Sequence, residues 1–266
     1  MRIIAGPCQH ETYEQSLEIA TECKRVCDKY GVEYIFKASY DKANRTSVNG
    51  KRGRGIVSTL EELKQIKELI GGLKILTDVH SEKDVYSIAD FYRSTVDVVQ
   101  IPAFLCRQTD IIQAACELGF IVNIKKGQFL APWDVDGILS KTEGAKDVWI
   151  TERGTSFGYN NLVVDFTGIE YMLNRYGVPI VFDATHSVQK PGGNGSSSGG
   201  NRDYVPSLCR AASALGVSNF FLEVHADPDN APSDGPNMLK LFDSEGMDFE
   251  TVVQQIKQFH YERGAL

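Results

Sequence analysis

The sequence predicts an α/β fold, a single-domain (β/α)8 TIM barrel that spans residues 1–266. Three observations predict it: the chain length, an alternation of eight strand-like with helix-like segments, and polar side chains that recur where the strands end. A length of 266 residues suits one barrel, because domains of this class typically contain about 250 residues. The composition, 42% hydrophobic and 24% charged, excludes a disordered or fibrous chain.

Eight short segments rich in β-branched residues are predicted to be strands. Most are apolar along their length, which indicates burial on both faces, as in a parallel sheet that helices cover. In chain order they are residues 2–5, 33–38, 74–78, 97–103, 121–125, 148–152, 179–183 and 219–224.

Segments with helical periodicity follow these strands. They are residues 14–30, 59–70, 83–91, 109–118, 131–144, 163–176, 204–215 and 251–261, of which 131–144 has the weakest pattern. Eight strand–helix units in a row favour a closed barrel, although periodicity alone leaves a doubly wound open sheet as the alternative.

The distribution of polar side chains favours the barrel over the open sheet. Each unit has a reactive side chain at or just beyond the carboxyl end of its strand, at Cys8, Lys37, Asp78, Arg107, Lys125, Arg153, His186 and Glu223. A barrel gathers these ends around one mouth, where active sites of this fold are built. Two loops flank that mouth: residues 41–56 are basic, and the glycine-rich residues 187–203 suggest a mobile lid rather than a linker.

The overall charge argues against two classes of partner. A net charge of −7 and a pI near 5.3 disfavour binding to nucleic acid or to an anionic membrane. The apolar stretch at the amino terminus is too short for a signal peptide, and no later run approaches the roughly 18 apolar residues of a membrane span. The sequence therefore predicts a cytoplasmic protein with reduced cysteines.

Cations are concentrated at the predicted mouth of this acidic chain. Each one alone is more often a solvated surface charge, but together they indicate substrates with several anionic groups, since Arg and Lys both bind phosphate oxygens. They are Lys37, Lys42, Arg45, Arg107, Lys125 and Arg153.

Four possible metal ligands come from the first, seventh and eighth units, which are contiguous in a closed barrel: Cys8, His186, Glu223 and Asp234. This mixture of sulfur, nitrogen and oxygen suits Zn2+, Fe2+ or Mn2+. The residues alone leave open a buried structural cysteine, a hydrogen-bonded histidine and solvated carboxylates. Three other histidines stand near the strand ends: His10, His80 and His225. They could support the possible ligands from behind or be polar loop residues, and the second interpretation is favoured.

Six segments resemble, in order, the 3-deoxy-D-manno-octulosonate 8-phosphate synthases. They are IAGPC at 4–8, FKASYDKANRTS at 36–47, QIPAFLCRQTD at 100–110, NIKKGQFLAPW at 123–133, TERGTSFGYNNL at 151–162 and DATHSVQ at 183–189. The resemblance implies an aldol-like condensation of phosphoenolpyruvate with D-arabinose 5-phosphate and water, which yields the eight-carbon sugar phosphate of KDO and lipopolysaccharide biosynthesis. It also implies a homotetramer.

The same resemblance assigns roles to individual residues. Lys37, Ser39 and Lys42 would hold the carboxylate region of phosphoenolpyruvate, while Lys125, Gln128 and Arg153 would hold its phosphate. The acceptor site would comprise Asn44, Arg45 and Thr46, with Ala103 nearby and with Arg107 and Gln108 reaching in from a neighbouring subunit. The implied catalytic set is Lys37, Lys42, Asp78, Lys125, His186 and Asp234. Thr46 stands where many members have Ser, which keeps the hydroxyl.

One position separates family members that need a divalent metal from those that do not. Metal-dependent members have Cys after the first strand and independent members have Asn, and this chain has Cys8. By resemblance, Cys8 therefore joins His186, Glu223 and Asp234 as a metal ligand.

Two rival interpretations remain. The related 3-deoxy-D-arabino-heptulosonate 7-phosphate synthases share the donor but use erythrose 4-phosphate, and they resemble Lys-Pro-Arg-Thr where this chain has Lys-Ala-Asn-Arg at 42–45. A catalytically silent barrel that binds a phosphorylated metabolite would keep ligand binding without turnover.

Overall fold

The sheet closes into a barrel because its last strand pairs with its first. The computed structural model describes residues 1–45, 47–193, 198–243 and 247–260. Its barrel strands are β1 Arg2–Gly6, β2 Glu33–Lys37, β3 Lys74–Asp78, β4 Val98–Ile101, β5 Ile121–Lys125, β6 Asp147–Glu152, β7 Ile180–Asp183 and β8 Asn219–His225. All neighbours are parallel, and Ile4 of β1 lies opposite Phe221 of β8 as well as Ile35 of β2. The predicted barrel is confirmed.

Helices follow the strands and cover the outside of the barrel. They are α1 Tyr13–Lys29, α2 Ile56–Ile70, α3 Glu82–Phe91, α4 Thr109–Glu117, α5 Val135–Leu139, α6 Phe166–Arg175, α7 Ala184–Ser187, α8 Val205–Ala214 and α9 Phe249–Gln258. The short helix α7 is inserted directly after β7, so that the seventh unit carries two helices. Residue 261, the predicted end of the last helix, lies outside the described residues.

Some predicted boundaries were wrong for identifiable reasons. Strand β4 ends at Ile101 rather than at residue 103, because Pro102 has no amide hydrogen and a 3-10 turn begins at Ala103. Helix α6 begins at Phe166 rather than at residue 163, because Leu162–Val163 pairs with Thr155–Ser156 as an antiparallel hairpin. The weak 131–144 segment forms only the short helix α5, preceded by a 3-10 turn.

Two apolar clusters stabilise the fold. The larger one lies between the strands and the helices, and the smaller one fills the barrel interior with Ile4, Ile35, Leu76, Val98, Trp149, Val181 and Phe221. Full burial of each aliphatic or phenyl side chain contributes roughly 1.5–3 kcal/mol. Trp149 closes the bottom of the barrel, where the Arg2 guanidinium lies 4.1 Å from its ring centroid.

The loops after β7 and β8 build the rim of the mouth. Gln189–Lys190 pairs with Gly199–Gly200, which gives the predicted lid an ordered base, while residues 194–197 are outside the described part of the chain. After β8, Leu239–Lys240 returns to pair with its end and so holds the intervening loop, which carries Asp234, over the barrel. Within the described residues we find no helix with the length and apolar content needed to cross a bilayer.

Candidate active site

A cavity of about 370 Å³ opens at the carboxyl ends of the strands. Most of the residues predicted from the sequence meet there: Lys37, Lys42, Asn44, Arg45, Asp78, Ala103, Lys125, Gln128, Arg153, His186 and Asp234 line the cavity. Cys8, Ser39 and Glu223 are buried beside these lining residues. Thr46, also predicted for this site, falls outside the described residues.

Two predicted residues lie elsewhere. Arg107 and Gln108 are exposed before helix α4 and do not line the cavity of their own chain. Of the six cations expected at the mouth, Arg107 is therefore the one that does not line this cavity, and the 3-10 turn after β4 separates it from the end of that strand. Their contribution to a neighbouring subunit stays a prediction.

The four possible metal ligands form one cluster. One ligand atom from each of Cys8, His186, Glu223 and Asp234 lies within 4.8 Å of all the others. The Cys8 Sγ lies 3.6 Å from Asp234 Oδ2, and His186 Nε2 lies 3.4 Å from Glu223 Oε1. Cys8 and Asp234 both adopt positive φ angles, 61° and 56°, a costly conformation that often marks a functional position.

The chemistry of this donor set fits a divalent cation. Glu223 is buried, and neither of its carboxylate oxygens accepts a hydrogen bond from a described residue, although Lys37 Nζ lies 4.0 Å from Oε1. A buried carboxylate in this state is costly unless a cation approaches it. Burial and the nearby Glu223 raise the pKa of Cys8 to about 12, so a metal must displace the thiol proton when it binds.

The site orients His186 through a residue that the sequence analysis did not single out. Asp183, the last residue of β7, accepts the His186 backbone N–H at 2.9 Å and caps helix α7. Its Oδ2 lies 2.7 Å from His186 Nδ1 and accepts from Lys125 Nζ at 2.6 Å. Burial opposes ionisation of this carboxyl, but His186 and Lys125 outweigh it and hold the pKa of Asp183 well below its usual range. The aspartate three residues before the histidine was the signal in the sequence.

A second buried network surrounds Lys37. Its ammonium donates to the Cys8 carbonyl and to Ser39 Oγ, each at 2.8 Å, and Ser39 donates in turn to Asp78. Burial and the neighbouring Lys42 lower the pKa of Lys37. Burial alone would raise the pKa of Asp78, but Lys37 and Lys42 lower it well below its usual range, so the carboxylate stays ionised.

An aromatic floor and a buried arginine complete the cationic side. Lys125 Nζ lies 3.9 Å from the centroid of the Phe221 ring, a favourable cation–π geometry. Arg153 is 5% exposed and its Nη2 donates to Gln189 Oε1 at 2.8 Å. Gln189 also donates to Asp234 Oδ1, which joins the cationic side to the cluster of possible metal ligands. Sequence reasoning missed Gln189 because a neutral amide stands out in neither charge nor periodicity.

The opposite rim is tied together by Arg45. Its Nη1 donates to Ser233 Oγ and its Nη2 to Gln9 Oε1, each at 2.6 Å, and Ser233 donates to Asp234. The loop after β2, which carries Asn44, is therefore fastened to the loops after β1 and β8. Ser233 and Gln9 gave no signal, since only barrel closure brings them near Arg45.

The three remaining mouth histidines differ in position. His80 lines the cavity, where its Nε2 lies 3.7 Å from Asp78 Oδ2. His10 and His225 do not line the cavity. The Nε2 atom of His10 lies 2.8 Å from Glu62 Oε2, and that of His225 lies 2.9 Å from Glu11 Oε1. Burial lowers the pKa of His10. Of the three, His80 is the one that can meet a ligand.

Known proteins with similar sequences match nearly the whole chain. A model described as the DAHP synthetase I family matches residues 1–260. A Caulobacter vibrioides protein named 2-dehydro-3-deoxyphosphooctonate aldolase is 53% identical over 261 residues, which is 97% of this chain and 87% of that protein. A Rickettsia bellii protein with the same name is 51% identical over 259 residues, covering 97% and 90%. One from Bartonella henselae is 52% identical over 241 residues, covering 90% and 84%.

Proposed function

Because the chain belongs to the DAHP synthetase I family, we propose that it is a 3-deoxy-D-manno-octulosonate 8-phosphate synthase. It condenses phosphoenolpyruvate with D-arabinose 5-phosphate and water and releases inorganic phosphate. The relatives named 2-dehydro-3-deoxyphosphooctonate aldolase support this member of the family over the seven-carbon synthase. The proposal extends to one domain over residues 1–266 and to a cytoplasmic homotetramer.

The observation that carries the proposal is the meeting of two features in one cavity. Four cations, Lys37, Lys42, Lys125 and Arg153, line a space that the cluster of possible metal ligands borders through His186 and Asp234. Such a site suits a doubly anionic donor on one side and a polar aldehyde on the other.

The donor would bind along the cationic side. Lys125, Gln128 and Arg153 hold its phosphate, and Lys37, Ser39 and Lys42 hold its carboxylate. Carbon 3 of the enol attacks the aldehyde carbon and forms the new C–C bond, water adds its oxygen to carbon 2, and phosphate leaves with cleavage of its C–O bond. The lysines stabilise the negative charge on the pyruvyl portion during these steps.

The acceptor would bind towards the rim that Arg45 fastens. Asn44, Arg45 and Thr46 take the sugar phosphate, with Ala103 beside them and with Arg107 and Gln108 supplied by a neighbouring subunit. The ionised carboxylates of Asp78 and Asp234 accept hydrogen bonds from sugar hydroxyls or from the reacting water. These two carboxylates and His186 complete the catalytic set with the lysines.

Cys8, His186, Glu223 and Asp234 would hold a divalent ion, and Zn2+, Fe2+ and Mn2+ all suit this donor set. Such an ion supplies Lewis-acid polarisation at the aldehyde oxygen or at the attacking water. The residues around the ion bind the two substrates and hold carbon 3 of phosphoenolpyruvate close to the aldehyde carbon.

A phosphate-release assay tests the proposal. The protein is incubated with phosphoenolpyruvate and either arabinose 5-phosphate or erythrose 4-phosphate, before and after chelation. We expect release with the pentose phosphate that chelation abolishes. A preference for the tetrose phosphate would support the seven-carbon synthase, and binding without turnover would support a silent barrel.

A further inference from the structure

Asp183 stands between the metal cluster and the cationic side of the cavity. It is 0% exposed, and its two oxygens face different partners. Oδ1 accepts the His186 backbone N–H at 2.9 Å and the Thr185 hydroxyl at 3.1 Å. Oδ2 faces Lys125 Nζ at 2.6 Å and His186 Nδ1 at 2.7 Å. One carboxylate oxygen is thus shared between an ammonium and an imidazole.

The sharing matters because the His186 ring has two possible proton positions. Lys125 Nζ also lies 3.3 Å from His186 Nδ1. If the ammonium donated to Nδ1, the ring proton would lie on Nε2, the nitrogen that faces Glu223 at 3.4 Å. A protonated Nε2 has no lone pair for a metal. The carboxylate lies closer to both groups than they lie to each other and is negatively charged, which favours a ring proton on Nδ1.

We propose that Asp183 is a positioning residue that selects the metal-binding tautomer of His186, both by accepting its Nδ1 proton and by diverting Lys125 from that nitrogen. The inference rests on the metal site of the proposed function, but the tautomer itself exists without metal. Lys125 therefore matters for more than phosphate binding, because its ammonium would donate to the His186 ring once the carboxylate is lost.

The test begins with Asp183→Ser, which keeps an oxygen able to cap helix α7 but removes Oδ2. Zn2+ alone is titrated into the metal-free protein in competition with a coloured chelator, without substrates. We expect roughly 10-fold to 100-fold weaker Zn2+ binding, the usual effect of losing such a partner. Unchanged Zn2+ affinity in a folded Asp183→Ser protein would overturn the proposal.

The double variant separates tautomer selection from a general structural role. Lys125→Met alone gives the purely electrostatic effect of that charge on Zn2+ binding. In the Asp183→Ser background, Lys125→Met should restore several-fold more affinity than it does alone, because the competing donor is gone. Equal effects in both backgrounds would contradict the diversion of Lys125.

A matched control removes a comparable carboxylate far from the site. Asp97 Oδ2 accepts from Lys67 Nζ at 2.6 Å and from the Ile75 N–H at 2.8 Å at the other end of the barrel. Asp97→Ser should lower thermal stability and leave Zn2+ affinity unchanged.

Solid-state 15N NMR of the metal-free, histidine-labelled wild type keeps the inference testable even if Asp183→Ser fails to fold. The His186 signals, identified by their loss in His186→Gln, should show the proton on Nδ1. A proton on Nε2 would refute the inference. A wild type that binds no Zn2+ would instead overturn the metal part of the proposed function, while the tautomer would still decide the role of Asp183.

Discussion

Arg153→Ala is expected to weaken phosphoenolpyruvate binding more than any single loss of a surface charge could. The guanidinium is buried, and Nη2 donates to the neutral amide of Gln189 rather than to a carboxylate. Burial lowers the pKa of Arg153, which means that its surroundings tolerate the charge at a cost. A bound phosphate would offset that cost, and the alanine variant would leave the phosphate without its paired donors.

The size of the effect follows from this burial. Losing one partner of a desolvated charge pair typically costs about 2–5 kcal/mol, which corresponds to roughly 30-fold to 4,000-fold in Kd. Calorimetric titration of phosphoenolpyruvate into the protein, with no acceptor present, measures this change directly. Arg153→Lys should recover part of the affinity, because it restores the charge but not the two-pronged geometry.

A distant arginine supplies the control. Arg210 Nη1 also donates to a glutamine oxygen, that of Gln255, at 2.7 Å, but it lies on α8 outside the cavity. Arg210→Ala should leave the donor affinity unchanged. If Arg153→Ala also binds the donor with wild-type affinity, the assignment of Arg153 to the phosphate is wrong.

Three further predictions concern the acceptor and the metal. Because Ala43-Asn44-Arg45 replaces the rival pattern, kcat/KM should favour arabinose 5-phosphate, and equal or better turnover with erythrose 4-phosphate would contradict this. Chelation should abolish turnover, and added Mn2+, Fe2+ or Zn2+ should restore it. The Cys8→Ala variant should lose both metal and activity while its circular dichroism spectrum stays native. The Cys8→Asn variant should keep some activity that resists chelation. Full wild-type activity after verified metal removal would refute the metal dependence. Since the pKa of Cys8 is raised to about 12, metal binding must release the thiol proton, so Zn2+ affinity should rise with pH below that value. Calorimetry in buffers of different ionisation enthalpy should detect the release of at least one proton. A Zn2+ affinity that does not change with pH would count against Cys8 as a ligand.

The sequence predicted the fold and much of the site for the same reason. The parallel strands of a barrel all end at one face. Once the eight strands were recognised, the side chains at or just beyond their ends were therefore expected at one mouth, among them Lys37, Asp78, Lys125 and His186. Closure of β8 onto β1 likewise brought Cys8 to Glu223.

Other parts of the site depend on contacts that no local pattern encodes. Gln189 and Ser233 are neutral, and their partners lie on other units of the barrel, so only the folded geometry shows that they bind Arg153 and Arg45. Asp183 did leave a local signal, three residues before His186, but the ionised state of this buried carboxylate also depends on Lys125 from another unit of the barrel. The periodicity could not show that Arg107 lies outside the cavity of its own chain, because this depends on the turn after β4.

The pairing of β1 with β8 has a consequence for how the protein is made. Cys8 and Asp234 are 226 positions apart. A chain emerging from the ribosome therefore cannot assemble the four ligands until β8 and the loop after it have been synthesised and β8 has paired with β1. An ion that binds only the closed barrel stabilises it by a free energy that grows with the logarithm of the ratio of ion concentration to Kd. The metal would then bind late in folding, at the seam between β1 and β8, and its binding would report that the barrel has closed.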